Sequence, residues 1–172
     1  DRFNREQTAA ASAKNTYAIK RMDKTPAIDA KENDWRAIQP LSIERDGAPE
    51  KARARMAYDD ANLYVLFEVF DSSPWMNEGK DFKTLFKTGD AVDIQLNADP
   101  VSVSGKKRGI LASHVRLLFA QVGGKPVCVL MKPIDKAASG ELSHTYQSPV
   151  GDKVFDRIEM AGDVRVSVRS EA

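Results

Sequence analysis

The chain has 172 residues, of which 42% are hydrophobic and 30% charged, and its formal net charge is +1. This length is typical of one domain whose core needs neither disulfides nor a structural metal. The near balance of 26 basic and 25 acidic residues gives no bulk attraction to nucleic acid or to an anionic membrane. The single cysteine, Cys128, excludes an intramolecular disulfide and a cysteine metal cluster. No segment approaches the roughly 20 apolar residues of a membrane span, so we expect no membrane span. From the balanced charge we expect no nucleic-acid partner.

Residues 1–15 are polar and rich in alanine, and they predict a linker or a frayed helix. We expect residues 16–172 to form a single domain. Its first predicted strands cover residues 16–22 and 41–44. The chain opens with polar and charged residues rather than with a signal peptide or methionine, which suggests a mature product or a piece of a longer protein.

Residues 51–98 decide the predicted fold class. Polar and apolar residues alternate over 51–56, as in a half-buried strand, and residues 59–62 have turn chemistry. The nearly unbroken apolar run over 63–70 predicts a central strand covered on both faces. A third strand is predicted where apolar and polar residues alternate, namely Val92, Ile94 and Leu96 against Asp93, Gln95 and Asn97. Three strands with short links indicate an antiparallel sheet.

The rest of the chain continues the strand pattern. Apolar runs over 115–122 and 126–131 flank Gly123 and Gly124, which predicts a tight hairpin. Further strands are predicted over residues 141–147, 154–160 and 164–168, the last two as a hairpin. About nine or ten short strands at this spacing are typical of an all-β antiparallel sandwich.

Three motifs occur in a recognisable order, namely PAIDAKENDW at 26–35, MAYDDANLYVLFEVFDSSP at 56–74 and TGDAVDIQLNADP at 88–100. Together they resemble the sugar-binding-like domains related to the family-nine carbohydrate-binding modules, within the wider DOMON-like group of β-sandwiches. The resemblance covers about residues 16–168. It implies an antiparallel sandwich that binds a glycan or other polysaccharide without turnover. It also implies an extracytoplasmic setting, secreted, periplasmic or at the cell surface, in a multidomain protein whose other domains are its partners.

Three departures from the family pattern, namely two missing tryptophans and the residue at position 30, keep an alternative open. Residues 86–88 (FKT) stand before Gly89 where the sugar-binding modules have a tryptophan, and Ala30 replaces the usual glycine after Asp29. The second tryptophan of those modules lies near the C-terminus of the domain, so we also expect the natural domain to continue past Ala172. The alternative is a structural or protein-interaction module that has the same fold and no sugar site.

The irregular segment 71–90, with a helical turn predicted near 82–86, is long enough to be functional. Trp75 lies in it, and a flat indole stacks on the apolar face of a pyranose while polar neighbours bind hydroxyl groups. Asp71 and Glu78 are close in sequence, and Asp93 and Gln95 are predicted on the outward face of the sheet. The sequence therefore predicts a ligand site formed by Trp75, Asp71, Glu78, Asp93 and Gln95. A lid over the core is the other interpretation of Trp75.

Arg53 and Arg55 are predicted to face outward on a neighbouring strand, where they would form a polar platform together with Asp93 and Gln95. Trp35, in contrast, is predicted in the core. Several aspartates are candidate calcium ligands, since the calcium ion is bound by oxygen ligands that can come from several loops. The candidate metal ligands are Asp59, Asp60 and Asp90, although turn formation also explains them and their spacing is not that of an EF-hand.

The histidines His114 and His144 raise the question of haem, which related DOMON-like domains bind with methionine and histidine or lysine ligands. The candidate methionines are Met56, Met76, Met131 and Met160. A partly buried structural histidine is the other interpretation of His144. No catalytic motif of the GxSxG, HExxH, P-loop or dinucleotide-binding types occurs, so we expect the chain not to be an enzyme. Calcium is then the cofactor that the sequence suggests.

Overall fold

The structure, a computed structural model, describes residues 16–44, 51–97, 99, 110–149 and 151–170. These residues contain ten β-strands and three short 3-10 helices, and nearly all strand pairs are antiparallel. The predicted all-β class is therefore confirmed. The chain divides into two compact units, Asp1–Ser73 and Pro74–Ala172. The linker or frayed helix predicted for 1–15 lies outside the described residues.

The first unit is a four-stranded sheet with β3 at its centre. Its strands are β1 (Lys20–Arg21), β2 (Leu41–Ile43), β3 (Ala52–Tyr58) and β4 (Leu63–Val69). Strand β3 pairs antiparallel with β2 and β4 and parallel with β1. The segment of alternating residues predicted over 51–56 is thus part of β3, the central strand of this sheet. The turn predicted over 59–62 joins β3 to β4.

Strand β4 corrects one prediction. Within the described residues it pairs only with β3, so it is an edge strand of its sheet rather than the central one. Its two faces also differ, because Tyr64 and Leu66 are buried whereas Val69 is 54% exposed. An apolar run records hydrophobicity on both faces but not the number of neighbouring strands, which is why the sequence suggested a central position. The strand predicted over 16–22 is likewise reduced to β1.

A short 3-10 helix, η1 (Asn33–Trp35), covers one face of this sheet. Trp35, only 3% exposed, packs with Ile38 against Ala57, Tyr64 and Leu66. The prediction that Trp35 is a core residue is confirmed. Burial of an indole and several aliphatic side chains, at about 1.5–3 kcal/mol for each large side chain, gives this unit its own core.

The second unit contains a larger antiparallel sheet. Its strands are β5 (Ala91–Asn97), β6 (His114–Val122), β7 (Lys125–Lys132) and β10 (Arg157–Met160), in the order β10-β7-β6-β5. The predicted hairpin is confirmed, since β6 and β7 pair through Gly123 and Gly124, whose φ angles are 57° and 77°. Such left-handed φ angles cost glycine little, and a two-residue turn of this hand requires them.

Three smaller elements cover one face of that sheet. They are the 3-10 helices η2 (Phe82–Lys87) and η3 (Gly140–Leu142) and the hairpin of β8 (His144–Tyr146) with β9 (Lys153–Phe155). From these elements Leu85 and Tyr146 join a core cluster with residues of the sheet, namely Leu118, Ala120, Val129, Met131 and Ile158. The helical turn predicted near 82–86 is η2.

The two faces of strand β5 carry different residues, as its alternation predicts. Val92, Ile94 and Leu96 are half-buried on one face, and Asp93 and Gln95 are exposed on the other. Register gives a further result: Asp93 lies opposite Leu118 of β6, and directly opposite residues share a face. The polar residues of β5 therefore lie on the same face of the sheet as Leu118, which packs against η2. This face is thus partly covered by protein rather than fully exposed to solvent.

The predicted final hairpin, 154–160 with 164–168, is wrong. Residues 153–160 divide between β9, which pairs with β8, and β10, which pairs with β7. The division falls at Asp156, whose Oδ2 accepts a hydrogen bond of 2.9 Å from the backbone N–H of Asp135. Among the described residues, 164–168 belong to no strand.

Candidate functional site

An open groove of about 620 Å³ lies in the second unit, between the loop 75–80 and the end of the β6–β7 hairpin, residues 121–124. We call it the Trp75 groove. The loop is part of the irregular segment that the sequence marked as functional. Two of the predicted ligand residues, Trp75 and Glu78, line it. The Trp75 groove is therefore the candidate ligand site.

Asn77 fixes the conformation of the groove loop. It is 4% exposed, and its amide Nδ2 donates to the carbonyls of Leu85 at 2.8 Å and Asp90 at 3.2 Å. Its Oδ1 accepts from the backbone N–H of Gly79 at 3.0 Å and from Oγ1 of Thr88 at 2.8 Å. A buried amide whose donors and acceptor are all used holds the surrounding backbone in one arrangement.

The backbone of the loop is bonded to the sheet on both sides. The N–H of Asn77 donates to the carbonyl of Gln121 at 3.0 Å, and the N–H of Asp90 donates to the carbonyl of Met76 at 2.9 Å. In return, the N–H of Met76 donates to Oδ2 of Asp90 at 3.2 Å. Asn77 is therefore bridged to Val122 of β6 on one side and to Gly89 on the other, and Trp75 stands on a rigid base.

Two glycines allow this close packing. A Cβ on Gly79 would lie 2.3 Å from Oγ1 of Thr88, and a Cβ on Gly89 would lie 2.6 Å from the carbonyl oxygen of Met76. Gly89 also has a φ of 153°, which side-chain-bearing residues rarely adopt. The sequence alone does not show why glycine is required at these two positions, because the close approach is visible only in three dimensions.

The groove combines an aromatic ring with polar groups of several kinds. Trp75 is half-buried, and the carboxylate of Glu78 and the ammonium of Lys80 are exposed beside it. Gln121 adds an amide from the opposite wall. Such a surface can bury an apolar ligand face against the indole and bind hydroxyl groups at its polar rim. The interpretation of Trp75 as a core lid is less apt, since the core cluster of this unit does not include it.

Asp93 and Gln95 do not line the Trp75 groove. The carboxylate of Asp93 is held by Arg116, whose Nε donates to Oδ2 at 2.9 Å and whose Nη2 donates to the same oxygen. The guanidinium of Arg116 in turn lies 5.2 Å from the ring centroid of Phe86 in η2. Asp93 thus belongs to an ion pair and cation–π contact on the sheet, which leaves less of its charge for a ligand.

Asp71 belongs to the first unit and is described there. Its Oδ1 accepts a hydrogen bond of 3.1 Å from the backbone N–H of Ser73, which lowers the pKa of the Asp71 carboxyl. This is the hydrogen bond of an Asx turn, so the residue forms the loop in which it lies. Its participation in a ligand site remains a prediction.

The outward platform predicted for the β3 arginines is wrong for Arg55. Its side chain is 7% exposed, with Nη2 2.7 Å from Oε1 of Glu32 and Nη1 bonded to Glu68. Its Nε donates to the carbonyl of Ile38 at 3.2 Å. Register explains the burial, because Arg55 lies opposite Leu66 on the core-facing side of the sheet. A buried cation of this kind is retained only when paired.

The candidate calcium ligands all accept hydrogen bonds from the chain itself. Asp59 accepts from the hydroxyl of Tyr64 at 2.5 Å and from the backbone N–H groups of Ala61 and Asn62 at 2.8 Å each. Asp60 forms an ion pair of 2.7 Å with Arg21. These two aspartates border an open cavity of about 330 Å³ in the first unit.

Asp90, the third candidate ligand, fixes the groove loop in the second unit. Within the described part of the chain, no group of three or more His, Cys, Asp or Glu residues is arranged to hold a metal ion. The geometry accordingly supports the interpretation of these aspartates as turn and loop residues, and it lends no support to calcium.

The histidines and the cysteine have structural surroundings. The ring of His144 meets that of Tyr146 edge-on at 4.5 Å, and Nδ1 of His114 accepts from the backbone N–H of Leu111 at 3.4 Å. Met131, a candidate haem ligand, is fully buried in the core of the sheet. Burial raises the pKa of the Cys128 thiol to about 11, so it stays protonated at neutral pH and packs as a small apolar residue.

Comparisons of the chain with protein-family models, with curated proteins and with solved structures found no match. None of the described helices is long and apolar enough to cross a membrane. The assignment of a function therefore depends on the sequence patterns and on the geometry of the Trp75 groove.

Proposed function

We propose that this chain is a non-catalytic glycan-binding module of the DOMON-like sandwich type, acting outside the cytoplasm as part of a multidomain protein. The observation that carries the proposal is the position of Trp75 beside polar side chains in an open groove on a rigid loop. Aromatic rings with adjacent hydrogen-bonding groups are suited to sugars, which present apolar faces and a rim of hydroxyl groups.

The composition of the groove favours binding over turnover. Glu78 is the one carboxylate among the described residues that line it, whereas glycoside hydrolysis requires two carboxyl groups on either side of the scissile bond. The open shape also suits a polymer that passes along the surface. A shallow site of this kind holds a ligand through one stacked ring and a few hydrogen bonds.

The sandwich part of the proposal is supported by the sheets of each unit taken separately. In the first, Trp35 and Ile38 cover one face, and the other carries Ala54, Met56 and Phe67. In the second, η2 and β8 cover one face, and the other carries half-buried apolar residues such as Ile94 and Leu117. Sheets that have an apolar face besides the one covered within their unit are the components of β-sandwiches.

A binding measurement with matched variants tests the proposal. Purified protein is screened against a glycan array, and hits are titrated by calorimetry and by tryptophan fluorescence. Trp35 is 3% exposed, so a ligand-dependent change in emission reports mainly on Trp75. We expect Trp75→Ala to weaken binding by about tenfold or more, as loss of a central aromatic contact does.

Phe70→Ala is the matched control, because Phe70 is an aromatic residue 45% exposed in the first unit. We expect this variant to bind as the wild type does, and a chelator to leave the affinity unchanged. Glycan binding that Trp75→Ala does not weaken would refute the site. The absence of binding to any glycan would refute the proposed function.

The second candidate is a structural or protein-interaction module, and exposed apolar residues favour it. Leu41, Ile43 and Val69 are 40%, 44% and 54% exposed, and they share one face of the first sheet by register with β3. This candidate predicts no glycan binding and capture of a protein partner that substitutions on this face abolish. A Soret band in the purified protein would instead support the haem-binding alternative.

A further inference from the structure

Residues 163–169, which we call the Val166 segment, have the side-chain pattern of a strand without its pairing. Val164, Val166 and Val168 are half-buried, whereas Arg165 and Ser167 are exposed. This alternation arises when one side of an extended chain lies on protein. Within the described part of the chain no ladder includes the segment, and none of the backbone hydrogen bonds outside the strands involves residues 164–168.

An extended segment of this kind has backbone N–H and C=O groups in position to pair with another strand. Its sequence selects a particular partner, because it is complementary to itself when run antiparallel about Val166. In that register Val164 lies opposite Val168 of a second copy, and Val166 lies opposite its own counterpart. Apolar side chains then meet on one face of the new pair.

The charges agree with the same register. Asp163 lies opposite Arg169 of the second copy, and Arg165 lies opposite Ser167, so no like charges face each other. The two-fold axis repeats each contact, which gives two Asp163–Arg169 pairs at the ends of the ladder. Opposite charges across an antiparallel pair are favourable, and like charges are unfavourable.

We propose that the Val166 segment is a self-association edge, at which two copies of this chain pair as antiparallel strands centred on Val166. The interaction is independent of the Trp75 groove, and the dimer therefore presents two glycan sites if the proposed function holds. Bivalent presentation raises the avidity for a polymer without any new contact to the ligand.

Sedimentation equilibrium of the full chain over a range of concentrations tests this proposal. We expect a reversible dimer. Asp163→Arg places an arginine opposite Arg169 at both ends of the ladder, and we expect the dissociation constant to rise by about tenfold. The double variant Asp163→Arg with Arg169→Asp exchanges the charges and is expected to restore the wild-type constant. Asp152→Arg, the same charge change at an exposed residue outside the segment, is the control and is expected to leave it unchanged.

Val166→Pro adds a backbone test, because proline fits an extended chain but donates no N–H. Circular dichroism verifies that each variant is folded. If Val166→Pro does not fold, the charge-exchange variants decide whether the segment forms the dimer. A chain that stays monomeric at all concentrations overturns the proposal. A dimer unaffected by Asp163→Arg, or one that the double variant fails to recover, overturns it as well.

Discussion

At the scale of single residues, Asn77 contributes more to the candidate site than any predicted ligand. Its side chain bonds to Leu85, Asp90, Gly79 and Thr88, and its backbone bonds to β6. The groove loop contains no regular element of its own between Ser73 and η2. Its conformation consequently depends on the buried amide of Asn77 together with the backbone bonds to β6 and Asp90, and the position of Trp75 depends on that conformation.

We predict that Asn77→Ala lowers the free energy of unfolding by about 1–3 kcal/mol, because it leaves buried carbonyl and N–H groups without partners. Asn77→Asp is expected to be no better, since a carboxylate cannot donate to the carbonyls of Leu85 and Asp90. Urea unfolding measures the change. Glu78→Ala, at the exposed neighbour, is the control and is expected to stay within about 0.5 kcal/mol of the wild type. An Asn77→Ala variant as stable as this control would contradict the role assigned to the amide.

At the scale of elements, the β3–β4 hairpin shows how turn chemistry and packing act together. The carboxylate of Asp59 accepts from two backbone N–H groups of the turn and from the hydroxyl of Tyr64 in β4. The hydrogen bond from Tyr64 is the main cause that lowers the pKa of Asp59 below its usual value of 3.8, and the N–H of Ala61 adds to it. The ionised carboxylate thus stabilises the hairpin.

The sign of the resulting pH dependence follows from this lowered pKa. Stabilisation by Asp59 is complete above its unfolded-state pKa of 3.8, and it is lost as the pH falls through the lower folded-state value. We predict that Tyr64→Phe reduces the loss of stability between about pH 5 and about pH 3, because it removes the main cause of the shift. Tyr58→Phe, at a tyrosine that is 43% exposed in the same hairpin, is the control. Equal pH profiles for the wild type and Tyr64→Phe would contradict the assignment.

The hairpin also shows what the sequence could predict. Turn residues and alternating side chains are local, so the positions of β3, β4, β5, β6 and β7 follow from the sequence. Pairing is not local: the position of β4 at an edge and the division of 154–160 between two sheets depend on residues far apart in the chain. The burial of Arg55 was missed for the same reason, since a charged residue in an alternating strand suggests an exposed face.

The candidate site could be predicted in part. An aromatic residue in a long loop with turn signals pointed to Trp75 and Glu78, and the structure places both in one groove. Nothing in the local sequence indicates that Lys80 and Gln121 border the Trp75 groove. Gln121 in particular lies in the β6–β7 hairpin, far along the chain from Trp75. The Asn77-Glu78-Gly79 sequence did contain a signal, since an asparagine two residues before a glycine is typical of an Asx turn.

At the scale of the whole molecule, the question is whether the two compact units unfold as one domain. Each has its own core cluster, around Trp35 in the first and around Leu118 and Met131 in the second. Each sheet also has an apolar face besides the one covered within its own unit, and a large apolar face is unfavourable in water. A chain of this length was expected to form a single domain, and the two tryptophans allow that expectation to be tested.

We predict that the protein unfolds in one cooperative transition. In the variant Trp75→Phe, fluorescence reports only on Trp35 and therefore on the first unit, whereas far-UV circular dichroism reports on strands of both units. Coincident midpoints in urea by the two probes are expected for a single domain. The wild type is the control, because its fluorescence includes both units and should give the same midpoint. A fluorescence midpoint separated from that of circular dichroism would show that the units unfold independently, and it would remove the argument for a single sandwich.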